Sequence, residues 1–294
     1  MSAVAAPSAP APAPLAAPAH PRRPSTLIVW RWEMRKLVSQ KRTYMGLFLA
    51  SILPIIFVIV QNLHQRQDHG DNIFAAQITQ SGLATPVLML LFLSVFMLPL
   101  IAALVAGDIV ANEDGNGTLK TILTRSVDRG QVFAAKTLSA MTYAVIAVFL
   151  SAIVATVAGV ISWGFKSITT FSGTVVPAPK GLLLVFAANL CYLIPLLTVV
   201  SIGVLLSTTT RNSAAAVVGT VGFIILLLIV AQIPGLEAVH PYLLNEQFEN
   251  WHGLLRTPTD WTPIIHSAWV CALYAIPSLF AAYLVFLRRD VTGG

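Results

Sequence analysis

Few side chains in this chain are of kinds that do covalent or metal chemistry. His64, Asp68, His69 and Asp71 crowd one polar segment, but their spacing matches no strong metal-ligand pattern. Cys191 and Cys271 each fall inside an apolar run and read as small buried hydrophobes, with no disulfide framework implied. Residues 130–137, Gly-Gln-Val-Phe-Ala-Ala-Lys-Thr, come within one residue of a phosphate-cradling loop. Ala135 replaces the second glycine, no strand precedes the run, and it leads straight into an apolar stretch, so no nucleotide site is expected there. Asn189, Gln232 and His266 are the main polar side chains within apolar stretches and read as interhelical hydrogen bonds. The richest polar segment runs from Gly107 to Gln131, where acids, glycines and basic residues alternate.

The elements that must position these groups are set by six stretches without Asp, Glu, Lys or Arg: residues 44–63, 85–107, 137–163, 181–207, 213–232 and 263–287. About 20 apolar residues at 1.5 Å rise per residue match the ~30 Å hydrocarbon core of a bilayer. Composition agrees, with 56% hydrophobic and 10% charged residues, where a soluble domain carries about 25% charged. The expected fold is therefore an all-α integral membrane protein with six transmembrane helices. A net charge of +6 does not indicate nucleic acid in such a chain. Basic residues mark cytoplasmic segments, and on this model fourteen of the eighteen Lys and Arg lie on the side of both termini.

Residues 1–24, an Ala/Pro tract, are expected as a disordered cytoplasmic tail; proline recurs too often for a helix or a signal peptide. From Ser25, a plausible N-cap, Leu27, Trp30, Met34, Leu37 and Val38 recur at helical spacing, beside Arg31, Arg35 and Lys36. With Trp30 and Trp32 at headgroup level, this predicts an amphipathic helix on the membrane surface. In the segment after span two, Gly115 and Gly117 supply a tight turn, residues 118–124 form a short amphipathic helix, and Asp128 with Gln131 caps span three. Between spans five and six, Leu243, Leu244, Gln247, Phe248, Trp251, Leu254 and Leu255 form an apolar stripe, predicting helix over about residues 242–256 on the outer leaflet.

Glu113, Gly117-Thr118-Leu119-Lys120, Leu123-Thr124, Val127 and Arg129, with Lys136 beyond, resemble the cytoplasmic signature of type-2 ATP-binding cassette (ABC) permeases. The run Leu206 to Ala214, with Arg211-Asn212, is similar to the small-residue turn of that family. The likeness covers residues 25–290, taken as one permease domain. Ser126 and Asp128 depart from it, standing where relatives often have Pro and Ser.

The resemblance implies a coupling helix between spans two and three. Glu113, Gly115, Gly117, Thr118, Leu119, Lys120, Arg125, Asp128 and Arg129 would contact a separate cytoplasmic ATPase subunit that binds the ATP and Mg. It also implies roles for the interfacial helix (Trp30, Trp32, Arg35, Lys36) and for an external gate (Leu244, Phe248, Trp251). A second permease subunit, the same chain or a sister, would complete the pathway in a bacterial plasma membrane. The competing class is an ATP-independent secondary transporter or a membrane-embedded enzyme. Proton or ion coupling ordinarily needs an ionisable group within a span, and the six stretches have no Asp, Glu, Lys or Arg. The expectation is an export permease for hydrophobic or amphipathic cargo, itself without catalytic residues or cofactor.

Overall fold

The computed structural model describes residues 25–67, 81–93, 95–115, 117 and 128–288. The Ala/Pro tract, Asp68, His69, Asp71, Thr118, Leu119, Lys120 and Arg125 lie outside the described residues. The described chain is almost entirely helical: α1 (Thr26–Val38), α2 (Lys41–Gln67), α3 (Ala84–Leu93), α4 (Met97–Asp108), α5 (Ala111–Gly115), α6 (Arg129–Trp163), α7 (Ala178–Thr209), α8 (Ser213–Val230) and α9 (Thr262–Arg288). Short 3-10 helices at His240–Tyr242 and Glu246–Leu255 precede α9. A two-residue antiparallel hairpin, Ile168↔Val176 and Thr169↔Val175, joins α6 to α7.

Among the described residues, five helices are long and apolar enough to cross a membrane, at Lys41–Leu63 and in α6, α7, α8 and α9. The second expected span is bent instead of straight: α3 meets the segment Met97–Gly115 at 61°. Pro99 accounts for the break. An uninterrupted helix would place its ring against the carbonyl of Val95 and leave that carbonyl without a donor. With α4 starting at Met97, Pro99 falls in a first turn, where its missing N–H costs nothing.

Helices α4 and α7 form the centre. Nine of the twelve residues of α4 are buried, and α7 packs against α4, α6, α8, α9 and the second 3-10 helix. By contrast, α2, α8 and α9 keep apolar residues such as Phe48, Ile225 and Phe280 on the surface, as suits helices whose outer faces meet lipid. Small residues let backbones approach. A Cβ on Gly107 of α4 would lie 2.8 Å from the Val217 backbone nitrogen on α8, and one on Gly159 of α6 would strike the Gly82 carbonyl.

The two ends of the bundle differ. At one end lie α1, α5, the start of α6, the α7–α8 turn and the end of α9, where Arg129 Nη1 donates to the Leu287 carbonyl at 3.0 Å. At the far end, Ser81 Oγ donates to the Lys166 carbonyl at 2.8 Å and Phe171 N–H to the Leu255 carbonyl at 3.1 Å. The stripe of residues 243–255 folds inward there as 3-10 helix. Leu244, Phe248 and Trp251 are each 1% exposed, and Phe248 packs against Tyr192 of α7 with ring centroids 5.4 Å apart and planes tilted by 44°. This segment caps the protein's own core, which corrects the expectation of a helix on the lipid surface. Its apolar residues face α7 and α9, which leaves little for lipid.

Candidate functional site

The densest chemistry in the described chain is a buried lattice of charge at the end that holds α1 and α5. It begins with Val29, Glu33 and Leu37, which recur at helical spacing and form the buried stripe of α1. Leu27, Trp32 and Val38 are exposed on the remaining surface. The helix is amphipathic as expected, but Leu37 faces protein, and a carboxylate sits at the middle of the inward face. Ser25 occupies the N-cap position without a side-chain capping bond.

Opposite Glu33 stands Lys136, the eighth residue of α6, with no exposed surface. Its Nζ lies 3.1 Å from both carboxylate oxygens of Glu33 and 2.6 Å from Glu113 Oε2, and it donates to the Ile109 carbonyl at 3.4 Å. An ammonium has three donors, and here each finds an acceptor. Glu113, 4% exposed, also pairs through Oε1 with Lys36 of α1. Two carboxylates and two ammonium groups make the cluster neutral, the condition under which buried charge is tolerated.

Two further ion pairs extend it. Asp108, at the end of α4, is 5% exposed and pairs with Arg42 at the start of α2 while accepting from Ser213 Oγ of α8. Arg211, in the α7–α8 turn, lies 3.7 Å from Asp114. Between the acids, Ser207 Oγ of α7 accepts from the backbone N–H groups of Val110 and Ala111, both at 3.0 Å, and satisfies buried donors at the start of α5. Helices α1, α2, α6, α7 and α8 are thus each tied to α4 or α5 by charge or by a hydrogen bond, and α9 is tied to α6 through Arg129.

The predicted site residues divide accordingly. Glu113 is central, and Lys36 is its partner. Gly115 closes α5, and Gly117, at φ +69°, makes the expected turn with its N–H 3.0 Å from the Asp114 carbonyl. Asp128 and Gln131 form the predicted capping box of α6, with the Asp128 N–H 3.4 Å from Gln131 Oε1. Arg129 anchors to α9, whereas Arg35 and Trp32 are exposed and Trp30 is half-buried. The Gly130–Thr137 run lies wholly inside α6, and its lysine is the buried centre of the lattice.

Sequence reasoning missed Glu33, Arg42 and Asp108 as partners and counted Lys136 as a loop charge. One signal was present: Glu33 is the sole acid between residues 25 and 67, on an otherwise basic helix. Asn189 bonds within its own helix, Nδ2 to the Val185 carbonyl at 2.8 Å. Cys191 and Cys271 are free thiols, and no group of three metal-ligating side chains occurs among the described residues.

Fold and site together define an all-α protein built of membrane-crossing helices, with one end closed by buried ion pairs. The chain belongs to the family described as Protein of unknown function (DUF2705), whose model matches residues 53–292. No curated protein matches it.

Proposed function

We propose that this chain is the membrane-spanning subunit of an ABC exporter of the type-2 kind. On this reading it has six spans, with the bent α3–α4 pair as the second, and both termini in the cytoplasm of a bacterial cell. It works as a dimer with itself or a sister permease in the plasma membrane. ATP and Mg belong to a separate ATPase subunit, and this chain carries hydrophobic or amphipathic cargo outward without catalysing a reaction.

One observation carries the proposal. The segment that would meet the ATPase leaves and re-enters the bundle through anchored residues. On one side Glu113 is held by Lys136 and Lys36, and on the other Asp128 caps α6 while Arg129 grips the end of α9. Displacement of such a segment is passed on to α1, α4, α6 and α9 together, as coupling to ATP hydrolysis requires. The basic residues crowded at the same end support its cytoplasmic placement.

The test is co-purification from mild detergent, comparing the wild type with Glu113→Ala and Leu119→Asp. An ATPase subunit recovered with the wild type, and lost or uncoupled in both variants, is the expected result. A chain that purifies alone and moves cargo without nucleotide would overturn the proposal in favour of a secondary transporter.

A further inference from the structure

At the end of the bundle that carries the charge lattice, an open cleft of ≈ 410 Å³ lies between the α7–α8 turn and the last turns of α9. Its wall is Thr208, Thr209, Arg211, Leu284, Val285 and Arg288. The polar side is cationic. Arg288 is exposed and has no acidic partner among the described residues. Arg211, with a side chain 75% exposed, approaches Asp114 only through Nε, and at 3.7 Å this is not a hydrogen bond. The terminal nitrogens of both guanidinium groups are therefore free to donate, and two such forks match the oxygens of a phosphate.

Thr209 supplies a second, independent observation. It is exposed, and its hydroxyl proton is committed to the Leu205 and Leu206 carbonyls, each at 3.1 Å. Its oxygen can therefore only accept. A ligand that suits this wall brings negative charge for the arginines and an O–H donor for Thr209. The third observation is an apolar track that leads out of the cleft. Leu273, Ile276, Phe280, Leu284 and Arg288 recur every three or four residues along α9, and the first three are exposed. Cys271, Ala282 and Phe286, on the other side of the helix, are buried in the bundle. From Leu273 to Leu284 the stripe runs about 16 Å at 1.5 Å per residue, which is the depth of one leaflet of a hydrocarbon core ~30 Å thick. The cleft thus sits at the end of a leaflet-long apolar track, at the level of headgroups.

We propose that this cleft holds the headgroup of an anionic phospholipid that carries a hydroxyl, of which phosphatidylglycerol is the simplest. The phosphate diester accepts from Arg211 and Arg288, a headgroup hydroxyl donates to Thr209, and an acyl chain lies along the α9 stripe. A soluble phosphate would use the arginines and leave the stripe idle. Phosphatidylcholine brings no net charge and no hydroxyl donor. On the topology proposed above this is the cytoplasmic leaflet, but the site requires only a bilayer and does not depend on coupling to an ATPase.

The test uses the full chain purified in a neutral detergent, with bound lipid counted by native mass spectrometry and affinity followed by thermal stability. The probes are phosphatidylglycerol, phosphatidylethanol (the same charge without a headgroup hydroxyl), phosphatidylcholine and tail-free glycerophosphoglycerol. Phosphatidylglycerol is expected to bind saturably, phosphatidylethanol roughly threefold to tenfold more weakly, and the other two not to bind. Arg211→Gln/Arg288→Gln should weaken phosphatidylglycerol by at least about tenfold, and Thr209→Val should erase the difference between the two anionic lipids. These three side chains are exposed, so the fold is kept, which the unfolding midpoint without added lipid checks. Lys41→Gln removes an exposed charge at the same end, outside the cleft, and should leave binding unchanged. Undiminished binding by the double variant, an equal loss in Lys41→Gln, equal affinity of the wild type for the two anionic lipids, or equal binding of glycerophosphoglycerol would overturn the proposal.

Discussion

Replacing Lys136 with Met keeps most of the side-chain volume and removes one positive charge from a site with no exposed surface. What remains is two buried carboxylates, Glu33 and Glu113, no more than about 6 Å apart because both touch the same nitrogen. At an effective dielectric of about 20, each close ion pair is worth roughly 5–6 kcal/mol of attraction, set against a desolvation penalty of several kcal/mol per ion. The pair itself therefore nets little, but removing one member leaves the penalty uncompensated. The expected loss is about 3–5 kcal/mol, or roughly 10 °C in the unfolding midpoint for a domain of this size. Thermal unfolding of the purified protein in detergent, read by tryptophan fluorescence, measures it. Glu33→Gln alone should also destabilise, while Lys136→Met/Glu33→Gln should be milder than the sum of the two by at least about 1 kcal/mol. Glu113 would then retain Lys36 as its counter-charge. A Lys136→Met protein within about 0.5 kcal/mol of the wild type, or strictly additive single effects, would refute the view that this lattice is buried and mutually dependent.

Two other expectations follow from packing and charge elsewhere. Gly159→Leu drives a side chain into the Gly82 carbonyl and Thr85 on the facing segment. It should cost about 1–3 kcal/mol, whereas Gly222→Leu, where an added Cβ meets nothing within 4 Å, should be near neutral; equal effects in the same melting assay would contradict the assigned contact. Burial lowers the His252 pKa, so its contribution to stability is full above the unfolded value of about 6.5 and is lost as pH falls through the lower folded value. Glu246, raised by burial and by Glu249, works in the opposite sense. The comparison is therefore between wild type and His252→Gln over about pH 7.5 to about pH 5, and wild type should lose more stability on acidification. Parallel curves would show that His252 is not held neutral.

The apolar helices could be read directly because a bilayer demands length and apolarity of a contiguous segment, and residues 137–163 or 213–232 meet that demand without reference to any neighbour. Local turn chemistry was equally visible: Gly117 and the Asp128–Gln131 capping box each act within a few residues of themselves. The lattice was not, since its contacts are long in sequence. Lys136 meets Glu33 across 103 residues, and nothing local distinguishes a lysine that turns into the bundle from one that reaches out to the headgroups. The inward folding of residues 243–255 was hidden for a related reason. An apolar stripe states that one face avoids water, but lipid and protein satisfy it equally, and only the presence of Tyr192 and Phe171 decides between them.

The same bookkeeping of charge bears on where the folded unit begins. The family match starts at residue 53, inside α2, and includes Asp108, Glu113, Asp114, Lys136 and Arg211. Taken alone, that region leaves Asp108, 5% exposed, without its cation. Arg42 supplies that cation, Lys36 supplies the second one on Glu113, and Glu33 supplies the acid that completes Lys136. These three residues lie upstream of the match, on α1 and at the start of α2, and each is paired with a side chain buried within it. Buried ions are retained only where their partners are present in the same folded unit. The segment from Thr26 to Arg42 is therefore an integral part of the membrane-spanning unit, held by complementary charge as well as by the apolar contacts of Val29 and Leu37.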